Sequence, residues 1–182
     1  RILNPGPGVG GHCISVDPWF LVEAAPDLTS LIRTSREVND TQPEFVMDSL
    51  KRLVPDLKGK RMAALGLAFK PDVDDLRESP AIEVVHHLAK AGAQVKAFEP
   101  FRTDFTLAGV QTVTTLDEAL ADAEILVLLV GHSQFKTLDP AAVAKLTPAR
   151  LAFDTVNSWQ RVRWLQAGFT LERLGDRKNT TR

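Results

Sequence analysis

The chain has a single cysteine, Cys13, and no tyrosine. One thiol cannot close an intrachain disulfide, which argues against a stapled secreted scaffold and fits a reducing cytoplasm. Long apolar runs are missing too: the longest, about Ile125 to Val130, is a strand's length, far short of the roughly 20 residues a bilayer crossing requires. A basic, apolar leader is also lacking, so no membrane partner is expected. Excess charge of one sign is absent as well. The 22 basic and 23 acidic residues leave a net charge of −1, too little for a uniform field that would gather nucleic acid or an anionic membrane. Any anion must be held by a local site.

What is present is ordinary globular composition: 182 residues, 44% hydrophobic and 25% charged, enough for one core plus an appendage. The chain opens at Arg1 without methionine and soon reaches a dense Gly/Pro motif, so the expectation is a fragment entered mid-fold. In residues 1–18, Asn4-Pro5-Gly6-Pro7-Gly8 and Gly10-Gly11 disfavour regular structure and let the backbone pass close to something bulky. Helical signals begin with Asp17 as N-cap and Pro18 at the first helical position. They continue from about Thr29 to Val54, where Leu31, Ile32, Val38, Val46, Leu50 and Leu53 recur at helical spacing and Pro43 starts a new helix or kinks a long one. The stretch 55–60 reads as a boundary, dividing the chain into residues 1–57 and 58–182.

Beyond it the pattern alternates. Arg61 to Phe69 reads as a buried strand, Ser79-Pro80 opens a helix through Ala91, Gly92 ends it, and Gln94 to Phe98 is a second strand. Thr115-Leu116-Asp117-Glu118 is a capping box, and strands follow at Glu124–Val130 and Arg150–Thr155. Strands alternating with helices predict an α/β fold, a Rossmann-like parallel sheet whose ligands lie beyond the carboxyl ends of its strands. Those ends carry Phe69-Lys70-Pro71, Glu99-Pro100, Gly131-His132-Ser133 and Asp154-Thr155. A response-regulator-like module is excluded by the first of them, because a lysine at that strand end disfavours Mg²⁺. The tail from Asp176 to Arg182 is expected to fray.

Gly6-Pro7-Gly8-Val9-Gly10-Gly11 contains G-x-G-x-x-G, but no strand precedes it and Cys13 follows, so it is not read as a dinucleotide fingerprint. It is a structural turn or a ligand-lining loop. Cys13 and Asp17 are a more informative pair: a thiolate can add to an aldehyde, and a carboxylate four residues on can orient a hydrolysing water. Taken alone, Cys13 reads first as a small buried hydrophobe and Asp17 as a helix cap. Lys70 can meet a phosphate at a strand end or simply be solvated, and Arg77 reads as an exposed ion pair with Glu78 or Asp74. His86 and His87 are adjacent and cannot share a helix face, so no metal is predicted.

The run from Asn4 to Phe20, Asn-Pro-Gly-Pro-Gly-Val-Gly-Gly-His-Cys-Ile-Ser-Val-Asp-Pro-Trp-Phe, resembles the catalytic-cysteine segment of the UDP-glucose/UDP-N-acetylmannosamine dehydrogenase family. The likeness continues in family order through 31–40, Gly66-Leu-Ala-Phe-Lys-Pro71, 74–81 and His132-Ser-Gln-Phe-Lys136. His12 before the cysteine and Val16-Asp17-Pro18-Trp19 after it are most similar to the N-acetylmannosamine branch. The resemblance implies an NAD-dependent oxidation of a UDP-sugar to its uronate, in surface polysaccharide synthesis, by an enzyme whose NAD-binding domain lies upstream of Arg1. By position, Cys13 would be the thioester nucleophile and Asp17 the carboxylate assisting water. Gly8, Gly10 and Gly11 would wrap the sugar diphosphate, Lys70 would contact the UDP-sugar, and Arg77 would reach the NAD pyrophosphate. Residues 1–57 would then hold the catalytic loop and a helical homodimerisation segment, and 58–182 the UDP-sugar-binding domain. One departure is Val156-Asn157 after Asp154-Thr155, where UDP-glucose enzymes commonly place a cation, so that contact is expected to be either absent or moved to Arg161 or Arg163.

Overall fold

In the computed structural model the described residues are 4–176, so the expected fraying of the tail falls, from residue 177 on, outside them. Helices come first: α1 (Asp17–Ala24), α2 (Ser30–Asp40) and α3 (Gln42–Leu53), the last with Pro43 in its opening turn as its fixed φ favours. Then strands and helices alternate: β1 (Arg61–Leu65), α4 (Pro80–Lys90), β2 (Gln94–Phe98), β3 (Gln111–Val113), α5 (Leu116–Leu120) and β4 (Ile125–Leu128). The chain continues through α6 (Ser133–Lys136), α7 (Pro140–Leu146), β5 (Leu151–Asp154), α8 (Arg161–Gln166) and β6 (Thr170–Arg173). All strand pairs are parallel, in the order β3-β2-β1-β4-β5-β6. That is the doubly wound Rossmann order, in which the direction of winding reverses between β1 and β4 and leaves a crevice at their carboxyl ends.

The central strands are buried on both faces, as a parallel sheet requires: β4 is buried throughout, as is β1 from Met62 on. One face packs Met62, Ala64, Val127 and Phe153 against Val46 and Leu50 of α3 and Val84, Val85 and Leu88 of α4. The other packs Ala63, Leu65, Leu126 and Leu128 against Leu120, Phe135, Val143 and Trp164. Trp159 stacks on Trp164 at 4.0 Å between ring centroids. Among the described residues no helix is long and apolar enough to cross a membrane.

Three sequence expectations change. Asp17 is not the N-cap of α1; Val16 occupies that place and no side chain caps the helix. The turn after Cys13 runs straight into the helix, so the Asp17 N–H already donates to the Cys13 carbonyl, 2.8 Å away. β1 ends at Leu65 rather than Phe69 because the N–H groups of Leu67 and Ala68 donate to the Glu99 carboxylate instead of continuing a ladder. The edge strands β3 and β6 are additional to those read from the sequence. The capping box at Thr115 and Glu118 is formed as expected, with both reciprocal bonds present.

Candidate functional site

The Gly/Pro loop is held by polar groups of α2. Asn39 closes a pair of bonds on Val9, its Oδ1 accepting the Val9 N–H at 2.7 Å and its Nδ2 donating to the Val9 carbonyl at 3.1 Å. Arg36, almost fully buried, aims Nη1 at the same carbonyl and pairs through Nη2 with Asp40. The loop then crosses the start of α4. A Cβ on Gly10 would stand 2.0 Å from the Glu78 carbonyl oxygen, and one on Gly11, whose φ is 97°, would meet the Phe69 ring at 2.8 Å. Both positions therefore demand glycine. Their close neighbours are the chain's own Glu78 and Phe69, which seat the Cys13 turn directly against the Lys70 loop.

Cys13 is exposed and opens the turn that leads into α1. Asp17, also exposed, follows one turn later with its carboxylate free of capping duty. His12 meets the opposite loop: Arg77 Nη2 lies 3.2 Å from His12 Nδ1. Arg77 pairs with neither Glu78 nor Asp74. Its partner is Asp75, whose carboxylate accepts from the Arg77 backbone N–H and Nε at 3.0 Å and from Nη2 at 2.7 Å. The Arg77 hydrogen bonds hold the Asp75 carboxyl well below the usual carboxylate range. They also raise the guanidinium's own pKa. Lys70 is exposed beside Phe69, its Nζ 5.2 Å from the ring centroid. The structure thus brings Cys13, His12, Arg77 and the Phe69-Lys70 loop together at the edge of the sheet formed by the carboxyl ends of its strands.

Two buried carboxylates close that edge. Glu99, after β2, accepts from Leu67 N–H at 2.7 Å, Ala68 N–H at 3.0 Å and Phe101 N–H at 3.1 Å, and lies 3.0 Å from His132 Nε2. Burial pushes Glu99 up, but the His132 and backbone bonds to the charged form outweigh it and leave the pKa below its ordinary value. Asp154, the last residue of β5, accepts from Val156 and Trp159 N–H groups. Here burial wins and its pKa is raised. Among the described residues, the non-glycine residues in left-handed conformation, Asp72, Glu78 and Asn157, all lie in loops at this same edge. Such strained positions concentrate at functional sites.

Near the Val156-Asn157 departure, the guanidinium that reaches Asn157 is neither Arg161 nor Arg163. Arg173 on β6 donates to Asn157 Oδ1 at 2.7 Å, while Arg161 pairs with Asp176 and Arg163 with Asp139. Sequence reading placed Glu99 and His132 at strand ends but missed their pairing. The available signal was their position after the two strands, β2 and β4, that flank β1 in a doubly wound sheet.

Residues 63–161 match the UDP binding domain of the UDP-glucose/GDP-mannose dehydrogenase family, and residues 1–41 match that family's central domain. The chain is 41% identical over 182 residues to a UDP-N-acetyl-D-mannosamine dehydrogenase of Methanocaldococcus jannaschii, a stretch covering 98% of the chain and 41% of that protein. It is 48% identical over 150 residues to the Escherichia coli enzyme of the same name, covering 76% of the chain and 36% of that enzyme. The crystal structure of an NDP-N-acetyl-D-galactosaminuronic acid dehydrogenase from Methanosarcina mazei superposes with a TM-score of 0.83 at 28% identity, over 96% of the chain and 40% of that protein. The chain thus spans about two fifths of the length of these relatives. With both matches in family order and the sheet of matching topology, the chain belongs to the UDP-glucose/GDP-mannose dehydrogenase family.

Proposed function

We propose that this chain is the substrate-binding and thioester-forming part of an NAD-dependent dehydrogenase that oxidises the CH₂OH group of UDP-N-acetyl-D-mannosamine to a carboxylate, in cytoplasmic synthesis of surface polysaccharide precursors. The observation that carries this is the meeting of the exposed Cys13 turn with the Lys70 and Arg77 loops, through Gly11 on Phe69 and His12 on Arg77. The family match and two relatives of that name support the substrate class.

Cys13 acts as a thiolate, adding to the carbonyl carbon of the sugar aldehyde to give a thiohemiacetal. Loss of hydride from that carbon leaves a thioester on Sγ. Asp17 orients water onto it, the C–S bond breaks, and the uronate leaves as the thiol is restored. NAD, when bound, supplies the hydride acceptor for both oxidations. The fit of these residues to it is partial: Arg77 is solvent-facing beside Cys13 and can donate to a pyrophosphate, whereas the glycine loop follows no strand and is not a dinucleotide cradle. The dinucleotide's main binding domain therefore belongs to a segment outside these residues. Lys70 contacts the UDP-sugar, and Gly8, Gly10 and Gly11 shape the loop against which the sugar diphosphate lies. The division at 57/58 separates the catalytic loop and helices from the UDP-sugar-binding unit.

A second reading applies to the 182 residues alone: a non-catalytic UDP-sugar-binding module that dimerises through its helices. The exposed Phe20, Leu21, Leu28, Leu31, Val38 and Phe45 favour it. The test is NADH formation by the chain joined to its dinucleotide-binding segment, with UDP-N-acetylmannosamine, UDP-N-acetylglucosamine and UDP-glucose in parallel and uronate quantified. Two NADH per uronate from the first sugar alone is expected. The same stoichiometry from another sugar would replace the substrate and keep the chemistry, and no NADH from any would leave the binding module.

A further inference from the structure

At the carboxyl end of β1, beside the point where the sheet's winding reverses, side chains join the loops that follow β2 and β4. Glu99 and His132 are both fully buried there, 3.0 Å apart. The other ring nitrogen of His132, Nδ1, accepts the Asp72 backbone N–H at 2.9 Å. A backbone N–H can only donate, so Nδ1 is bare, and the neutral ring carries its proton on Nε2 and donates it to Glu99. The rings of Phe101 and Phe135, with centroids 5.1 and 5.5 Å from that of His132, cover its remaining sides. Asp72, held at φ 60°, returns a second tie: its carboxylate accepts from Ser133 N–H at 2.8 Å and Ser133 Oγ at 2.7 Å.

The loop that carries Lys70 is therefore clamped at both ends. Leu67 and Ala68 hang on Glu99, after β2, while Asp72 hangs on His132 and Ser133, after β4. Lys70 lies between the two anchor points and is itself exposed. We propose that His132 is a positioning residue, which by accepting the Asp72 N–H while donating to Glu99 fixes the 67–72 loop and so aims Lys70 at an anionic ligand. This rests on the reading of Lys70 as a UDP-sugar contact. The charged groups around the ring are Glu99 on one side and Asp72 on the other, 3.8 Å from Nδ1, with Lys136 of α6 acting on Asp72. A second ring proton would set N–H against N–H and break the tie to the loop.

Two substitutions separate the two bonds. In His132→Gln the side-chain amide can still donate to Glu99 but nothing accepts the Asp72 N–H. In His132→Asn the carbonyl can take the place of Nδ1, while Glu99 loses a donor. UDP is the probe, with affinity measured by calorimetric titration, stability by denaturation, and the Asp72 amide followed by hydrogen exchange. Expected for His132→Gln are faster exchange at Asp72 and UDP affinity about tenfold weaker, the effect of one hydrogen bond of ordinary net strength. His132→Asn should bind UDP within about twofold of the parent although it is the less stable variant, because it strands a lone pair on the buried Glu99. Lys70→Ala should weaken UDP as much as His132→Gln, and the double variant no further, because the two act through one contact. Affinities that simply follow stability, or His132→Gln binding like the parent while Lys70→Ala is weakened, overturn the positioning role alone. Unchanged affinity in Lys70→Ala overturns it through the Lys70 reading beneath it.

Discussion

The helix α2 and the sheet region of residues 61–173 treat apolar side chains in opposite ways. The sheet covers its own: Phe153, Leu128 and Trp164 are essentially inaccessible, packed in two layers against α3 and α4 on one face and α5 to α8 on the other. In α2 the arrangement is inverted. Its only buried residue is Arg36, while Leu31 is 78% exposed and Leu28, just before the helix, 87%. The inward face of α2 serves the glycine loop through Arg36 and Asn39, and its apolar side chains face outward. Burial of apolar surface thus fixes the sheet, and polar contacts fix the Gly/Pro loop on a helix whose outer face exposes Leu31 and Val38.

The largest contrast should come from the core. Phe153→Ala is expected to cost about 3–5 kcal/mol of unfolding free energy in denaturant titrations, through lost contacts and the cavity left behind. A cost near zero would remove the sheet from its place as the stable half. Gly10→Ala comes next, because its new Cβ meets the Glu78 carbonyl and something must shift. A loss of about 1–3 kcal/mol is expected, with the Cys13 turn displaced from the Lys70 loop. Unchanged stability and turnover in Gly10→Ala would show that the loop does not depend on this crossing.

Acid should act on the sheet through Glu99. Its folded pKa is depressed, so its contribution is fully present above the unfolded value of about 4.3 and is lost as pH falls through the lower folded value. The stability gap between the parent and Glu99→Gln should therefore be widest near neutrality and close in acid. A gap independent of pH would mean that the carboxylate's charge is not what its four donors require. Asp154, whose pKa is raised by burial, has the opposite sign, favouring the fold below its unfolded value and losing that as pH rises through the folded one. The smallest effect on folding belongs to Leu31→Ser. It should leave monomer stability within about 0.5 kcal/mol and, under the proposed dimerisation through these helices, raise the monomer fraction in sedimentation, whereas unchanged self-association would contradict that proposal.

Much of this was legible in the sequence, for reasons that differ by element. β2, β4 and β5 were read within a few residues because buried parallel strands are short apolar runs between helix caps, and α4 and α5 because Ser79-Pro80 and the Thr115 capping box mark their starts. β3 and β6 escaped: each is an edge strand of three or four residues with polar side chains among its apolar ones. Asp139-Pro140, which caps α7 by accepting the Ala141 N–H, was a signal left unread. Cys13, Asp17, Lys70 and Arg77 stood out by motif, but no spacing shows that His12 meets Arg77 65 residues away or that Glu99 meets His132 33 residues on. Those pairings depend on strand order, which the periodicity of a single sequence does not encode.

In the proposed mechanism Cys13 carries the oxidised sugar as a thioester. Its most direct test is the intact mass of the Asp17→Asn protein, joined to its dinucleotide-binding segment and mixed with NAD and UDP-N-acetylmannosamine, followed by peptide mapping. Slowed hydrolysis should leave a UDP-uronyl adduct on the peptide containing Cys13, absent from Cys13→Ser. Uronate formed by Cys13→Ser at the parent rate, with no adduct in either variant, would contradict it.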